Sequence, residues 1–205
     1  MSNDPRIAYF DNLAGQWDQE EPSSRTMTAK LAAEADRLAL RPGLSLLEVG
    51  CGTGKTTAWL AEQVAPGRVT GVDFAPEMVA RARSKGIDAE FACLDVCSDP
   101  LGVGRYDVVL CFHSFPHFRD QPAAVKNLAN ALAPGGRLVV MHLAGSEKIN
   151  GFHAGLDGPV RGDLLPAGEQ WPPLLAGAGL ERVALIDRED LFFLEARPAG
   201  DGDWL

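Results

Sequence analysis

Leu46-Leu47-Glu48-Val49-Gly50-Cys51-Gly52-Thr53-Gly54, residues 46–54, decides the fold. A short apolar run enters three glycines at alternate positions, with an acid two residues before the first. Glycines spaced this way let the backbone turn tightly and come into contact with a ligand, because no Cβ stands in the way. The pattern over Lys55–Val64 is helical, and its N-terminal amides would point at whatever occupies the turn. A second apolar run, Arg68–Val72, ends in Asp73, placed to accept hydrogen bonds from a ribose diol. These are the parts of a nucleotide-type site.

Near misses narrow the ligand. A phosphate-binding P-loop needs Gly, four residues, then Gly-Lys-Ser/Thr. Gly54-Lys55-Thr56 supplies the end, but Val49 stands at the opening position and the glycine falls one residue late, at Gly50. The dinucleotide fingerprint needs its third glycine at 55, where the chain has Lys55. What remains, Glu-x-Gly-x-Gly-x-Gly, resembles motif I of the class I S-adenosylmethionine (SAM)-dependent methyltransferases. Further matches follow in order from about Leu46 to His142. Val69–Met78 is similar to the family's second strand, ribose-binding acid and next helix. Phe91–Val96 resembles its third strand, and Tyr106–Cys111 its fourth. Leu132–Val140, with its Pro134-Gly135-Gly136 turn, resembles the helix end and fifth strand of the type 11 branch, which includes many small-molecule enzymes.

The resemblance implies one Rossmann-like α/β domain, with a mostly parallel seven-stranded sheet, helices on both faces and an antiparallel C-terminal hairpin. It implies SAM as cofactor. Gly50, Gly52 and Gly54 then contact its methionine and ribose parts through backbone, with Cys51 inside the same turn. Asp73 clamps the ribose, and Asp95 meets the adenine amino group with Leu94 and Val96 beside the base. Phe74 and Met78 cover the adenine or ribose, and Phe112 adds an apolar wall. Glu48 joins the set as a turn-organising acid; a buried carboxylate there must find backbone or ammonium donors.

Composition sets outer bounds. At 205 residues and 46% hydrophobic, the chain fits one domain with a sizeable core. A net charge of −9 argues against a broad nucleic-acid footprint, which needs many Lys and Arg to displace counterions. No run approaches a membrane span, and Met1–Asp11 lacks a basic flank followed by an apolar stretch. A cytoplasmic enzyme with no membrane or nucleic-acid partner is the default expectation. Cys51, Cys93, Cys97 and Cys111 have no zinc-ribbon spacing; Cys93 and Cys111 read as small thiols in buried strands.

The organisation is regular up to residue 143. Helical patterns near Pro5–Trp17 and Ser24–Leu40 precede the core, making 1–43 an N-terminal helical segment and 44–205 the cofactor-binding core. Strand and helix patterns then alternate: Leu44–Val49, Thr56–Val64, Val69–Val72, Pro76–Ser84, Ala89–Leu94, Tyr106–Phe112, Gln121–Leu132 and Arg137–Leu143. Nearly continuous apolar strands argue for a parallel sheet covered on both faces. A helix closes near Leu174–Ala178, and strands near Glu181–Asp187 and Leu191–Arg197 form a hairpin. Gly145–Gly168 is glycine- and proline-rich with weak periodicity, and follows a strand on the ligand side of the sheet, so it is expected to wall a substrate pocket. Tyr9–Asp18 resembles the aromatic segment that precedes the core in type 11 enzymes, and would fold over the cofactor to exclude water.

All four histidines fall after Asp107. His113 and His117 follow the fourth strand, His142 ends the fifth, and His153 lies in the insertion. His113, His117 and His142 are the expected catalytic-pocket residues, converging above the transferred methyl group. One reading makes an imidazole the general base toward a thiol, hydroxyl or acidic carbon. Another makes neutral imidazoles metal ligands, although the spacing is not diagnostic. Arg119, Lys148 and Arg161 are candidates to hold an anionic substrate group. The chain lacks the Asn/Asp-Pro-Pro-Tyr/Phe run of base-amino methylation and the acidic cluster of magnesium-dependent catechol methylation. The expected function is methyl transfer from SAM to a small-molecule acceptor. A non-catalytic SAM- or nucleotide-binding regulator is the alternative, and a nicotinamide oxidoreductase a more distant one.

Overall fold

A computed structural model describes residues 4–19 and 23–200. The outermost parts of the two expected segments, 1–3 and 201–205, lie outside the described residues. Seven strands form one sheet: β1 (Ser45–Val49), β2 (Arg68–Asp73), β3 (Glu90–Cys93), β4 (Tyr106–Phe112), β5 (Leu132–His142), β6 (Leu180–Arg188) and β7 (Leu191–Pro198). Their order is β3-β2-β1-β4-β5-β7-β6. The first five pair in parallel, while β7 runs antiparallel between β5 and β6. This is the Rossmann-like, mostly parallel sheet with an antiparallel closing pair that the sequence pattern implies.

The strands read as apolar runs because both faces are covered. On one face Leu47, Val49, Val109, Cys111, Leu138 and Val140 pack in a single cluster with Val125 and Leu128 of α6 (Gln121–Ala131), Trp171 and Phe192. On the other, Leu46, Val108, Leu110, Val139 and Met141 meet Leu60 and Val64 of α4 (Thr57–Val64) and Leu31 of α2 (Ser24–Ala33). Each fully buried aliphatic side chain of this kind contributes about 1.5–3 kcal/mol relative to exposure. The Pro-Gly-Gly turn also has a physical role. Leu132 pairs with Tyr106, the chain bends through Gly135 at φ 73°, and pairing resumes at Arg137 opposite Val108.

Three local departures from the sequence expectation stand out. The helix expected over Ser24–Leu40 breaks at Glu34 into α2 and α3 (Ala35–Leu38), and Ala39 ends it in the left-handed region at φ 41°. The insertion after β5 is not wholly irregular: Ser146–Ala154 forms α7. Cys93 is exposed rather than buried, because β3 is an edge strand with little cover. Ahead of the core, α1 (Pro5–Leu13), capped by Asp4, and a 3-10 turn at Trp17–Gln19 cross toward α5 (Pro76–Ser84), where the Asp11 carboxylate accepts the Glu77 amide at 2.9 Å.

Candidate active site

Strand order reverses between β1 and β4, and ligands of open α/β sheets bind in the crevice at the carboxyl ends of strands there. A cleft enclosing about 1050 Å³ of empty space, mouth included, opens at that place. Its floor is the glycine turn. Gly50 and Cys51 donate backbone N–H groups to the Val72 carbonyl at 2.8 and 3.1 Å, tying the turn to β2. Gly50, Gly52 and Gly54 have φ of 70°, 53° and 78°, conformations that cost an L-residue about 1–2 kcal/mol each. Gly50 also has no room for a side chain, since an added Cβ would lie 2.3 Å from the Ser114 Cβ. Gly54 departs from the expected role. It does not line the cleft; a Cβ there would lie 3.1 Å from the tip of Ile87, tighter than ordinary contact, so its bareness leaves room for that side chain.

Asp73 joins the turn to the cleft. It is 7% exposed, and its two oxygens accept the Gly52 and Ala75 amides, each at 2.9 Å. Burial raises its pKa, while the two amide bonds oppose that shift. Each carboxylate oxygen keeps acceptor capacity beyond one amide, so the group can take further donors from a ligand. Leu94, Val96, Phe74 and Met78 also line the cleft. Asp95 lines it too, with its oxygens already engaged: one accepts the Cys97 amide at 2.9 Å, the other the Arg119 guanidinium at 2.7 and 3.1 Å. Arg119 is thereby paired with a carboxylate rather than left for an anionic ligand. Lys148 and Arg161 do not line the cleft.

Glu48 borders the cleft from below and is 2% exposed. Its donors are neither backbone nor ammonium groups, as expected from sequence, but two hydroxyls: Thr56 at 2.7 Å and Thr57 at 2.5 Å. Burial pushes its pKa up to about 7, against the pull of those hydrogen bonds. The acid therefore locks the start of α4 to β1. Cys51 lines the cleft, with a thiol held protonated by burial. Phe112 and Met27 add apolar lining.

The histidines meet in two ring contacts, and the rings of one contact act electrostatically on those of the other. His113 and His142 stack edge to face at 5.1 Å, and His117 and His153 lie 5.0 Å apart. His113 lines the cleft at φ 56°, its amide donating to the Met141 carbonyl while its Nε2 accepts the Leu143 amide at 3.2 Å. That bond extends the β4–β5 ladder, takes the Nε2 lone pair and fixes the proton on Nδ1. Burial pushes its pKa down to about 4. His142 does not line the cleft; it is 2% exposed, its Nε2 has no partner among the described residues, and burial holds it neutral. His117 does line the cleft, with Nδ1 2.7 Å from Asp163. Among the described residues, no three His, Cys, Asp or Glu side chains are grouped to hold a metal.

Residues from the N-terminal segment complete the enclosure. Phe10 and Trp17 border the cleft; the Trp17 Nε1 lies 3.6 Å from where a Cβ on Gly52 would sit. Thr53 donates to Asp18, and Asp18 pairs with Lys85 at 2.8 Å, fastening the 3-10 turn over the glycine turn. Asp163 escaped the sequence reading. It lies in the irregular insertion with no periodicity to mark it, and only the fold brings it to His117 and Arg6. Among the described residues, no helix is long and apolar enough to cross a membrane.

A glycine floor, a buried carboxylate at the end of β2 and apolar lining define a methyltransferase-type nucleoside site on a Rossmann-like sheet. Residues 47–140 match the methyltransferase domain family called Methyltransf_11. The chain is 33% identical over 183 residues to nocamycin O-methyltransferase of Saccharothrix syringae, covering 85% of this chain and 58% of the relative. It is 38% identical over 100 residues to demethylmenaquinone methyltransferase of Thermus thermophilus, covering 47% of this chain and 46% of that one. The solved DhpI–SAH complex superposes with a TM-score of 0.74 at 21% identity, covering 98% of this chain and 100% of that chain. The chain spans about half the length of these two curated relatives. It belongs to the class I SAM-dependent methyltransferase superfamily, in its type 11 branch. The superfamily's cofactor is SAM, and the residues present fit it: bare backbone at Gly52, spare acceptor capacity on Asp73, and apolar lining in the same cleft.

Proposed function

We propose that this protein transfers a methyl group from SAM to a small-molecule acceptor in the cleft between the ends of β1 and β4. The placement of Asp73, with one oxygen on the Gly52 amide and the cleft beyond it, carries this reading. Gly50, Cys51 and Gly52 would meet the donor through backbone. Asp73 would hold its ribose, and Leu94, Val96, Phe74 and Met78 would sandwich its base, with Asp95 at the base edge. Glu48 acts one step back, by holding Thr56 and Thr57 at the start of α4. The O-methyltransferase among the relatives supports an acceptor oxygen.

When bound, SAM supplies a methyl group on a positive sulfur. The chain aligns the acceptor with it, excludes water and takes up the acceptor's proton. Alignment of this kind removes up to about 7–11 kcal/mol of a bimolecular barrier. Residues 4–19 serve as the cover over the cleft, with Phe10 and Trp17 bordering it. His117 is the base, because its ring borders the cleft and, among the described residues, no donor occupies its Nε2. His113 and His142 serve the framework of the β4 and β5 ends. The net charge of −9 favours a neutral or cationic small molecule over nucleic acid as partner.

Calorimetric titration with SAM and with S-adenosylhomocysteine tests the reading, followed by a structure of the second complex. Stoichiometric binding at the glycine turn is expected; no uptake of either compound overturns the proposal. Binding without turnover across a broad panel of hydroxyl, thiol and amine acceptors would favour the regulatory alternative.

A further inference from the structure

We propose that Asp163 is a positioning residue that holds the His117 imidazole in the tautomer able to accept a proton. The inference deepens the methyl-transfer reading by naming how its base is kept competent. Its test reads the imidazole directly, without a methyl acceptor.

Asp163 is 5% exposed and joins three parts of the fold. Its Oδ1 accepts Arg6 Nη1 of α1 at 2.9 Å, and its Oδ2 accepts His117 Nδ1 at 2.7 Å. Its backbone carbonyl accepts His153 Nδ1 of α7 at 2.8 Å. A carboxylate oxygen accepts and cannot donate, so the proton of a neutral His117 sits on Nδ1 and the lone pair on Nε2. Phe10 meets the His117 ring edge to face at 5.0 Å and fixes its plane. The other charged or titratable groups that act on this ring are Arg6 through Asp163, His153 beside it, and Asp73, His113 and His142 at longer range.

The contrast with the other imidazoles makes the assignment. The His113 Nε2 already accepts the Leu143 amide, and His142 is buried and does not line the cleft. Among the described residues, His117 alone of the cleft-lining histidines has a carboxylate on one nitrogen and no partner on the other. With a hydroxyl acceptor, the O–H bond breaks and its proton passes to His117 Nε2. The freed oxygen pair forms the new bond to the methyl carbon while the methyl–sulfur pair returns to sulfur. The resulting imidazolium faces Asp163 Oδ2, which stabilises it in the way a triad aspartate does.

Arg6 supplies the test. A guanidinium only donates, so in Asp163→Asn the amide oxygen must face Arg6 and the NH₂ must face His117. His117 Nδ1 would then have to accept, and its proton would move to Nε2. Long-range ¹H–¹⁵N spectra of the ¹⁵N-histidine-labelled full chain report which nitrogen is protonated, with His117→Gln identifying the signals. An Nδ1–H tautomer in the wild type that inverts to Nε2–H in Asp163→Asn is expected. An Nε2–H wild type, or an Asn variant that keeps Nδ1–H, overturns the proposal. If the Asn variant does not fold, the wild-type tautomer alone decides. A purely structural role for Asp163 would change melting temperature but leave the tautomer in place. Absent binding of S-adenosylhomocysteine by the wild type would sink the cofactor reading while leaving this result standing.

Discussion

The Ser114 side chain stands where a side chain on residue 50 would have to go. Its Oγ donates to the Val49 carbonyl at 2.6 Å, and its Cβ lies 2.3 Å from an ideal Cβ built on Gly50. The β4 exit therefore roofs the first glycine from one side, leaving the ligand only the other.

Gly50→Ala and Gly52→Ala should consequently behave differently. Both impose a left-handed alanine, at about 1–2 kcal/mol. Only the first adds a clash with Ser114, of the overpacking kind that costs a further 1–3 kcal/mol or so. Urea denaturation should show Gly50→Ala to be the less stable of the two. SAM titration of Gly52→Ala should show weakened binding in a folded protein. Equal stabilities would mean that Ser114 yields freely.

Asp73→Ala removes a ribose acceptor, and it also strips two amides of their partner. Leaving those buried donors unmet costs about 1–3 kcal/mol each when water does not reach them. The variant should thus bind SAM at least tenfold more weakly and melt at lower temperature. Calorimetry of both quantities tests this, and a loss in neither would detach Asp73 from the site.

Glu48 and His113 push stability in opposite directions as pH changes. Burial raises Glu48 from 4.5 to about 7, so the folded state binds the proton more readily than the unfolded chain. Its contribution is present below about pH 4.5 and is lost as pH rises to 7, a change of about 3 kcal/mol. His113, lowered from 6.5 to about 4, costs stability as pH falls through that interval. Between about pH 4.5 and 6.5 these two slopes offset one another, leaving in the wild type the slope of His142 and His153, whose pKa values burial also lowers. Glu48→Gln should uncover the histidine slope, with stability rising from pH 4.5 to 6.5, and should remove the decline toward pH 7. Unfolding curves measured across that range in both proteins decide it; parallel profiles would refute the assignment.

His113 sits at φ 56°, where most side chains are strained. Losing its Nε2 leaves the Leu143 amide without its acceptor, so His113→Ala should be destabilising. His113→Gly loses the same bond but relaxes the backbone, and should be about 1 kcal/mol more stable than the alanine variant. Alanine is ordinarily the better substitute, so the reversed order in denaturant titrations is a specific signature of the strained turn.

The strand periodicities and the glycine turn were legible because they are local. Tyr106–Phe112 and Pro76–Ser84 emerge at the expected bounds, and Leu46–Val49 pairs with both β2 and β4. What the sequence hides depends on distance along the chain. Glu48 meets threonines eight and nine residues on, where a reading by residue class expects charged or backbone partners. Asp163 meets His117 across 46 residues and Arg6 across 157, from a segment without pattern. Four histidines do lie within electrostatic reach at one end of the sheet, but which of them face the cleft was not legible: His142 is buried at the end of β5, while His117, on the turn beyond β4, lines the cleft.

β7 follows β6 along the chain but sits inside it, hydrogen-bonded to β5 on one side and β6 on the other. During synthesis, then, the open flank of β5 must wait for residues 191–198, and β6 has no seat until they arrive. Folding of this sheet is late along its C-terminal flank, and a chain cut short of Leu191 would leave β5, the strand that ends in His142, as a sticky, ungated edge.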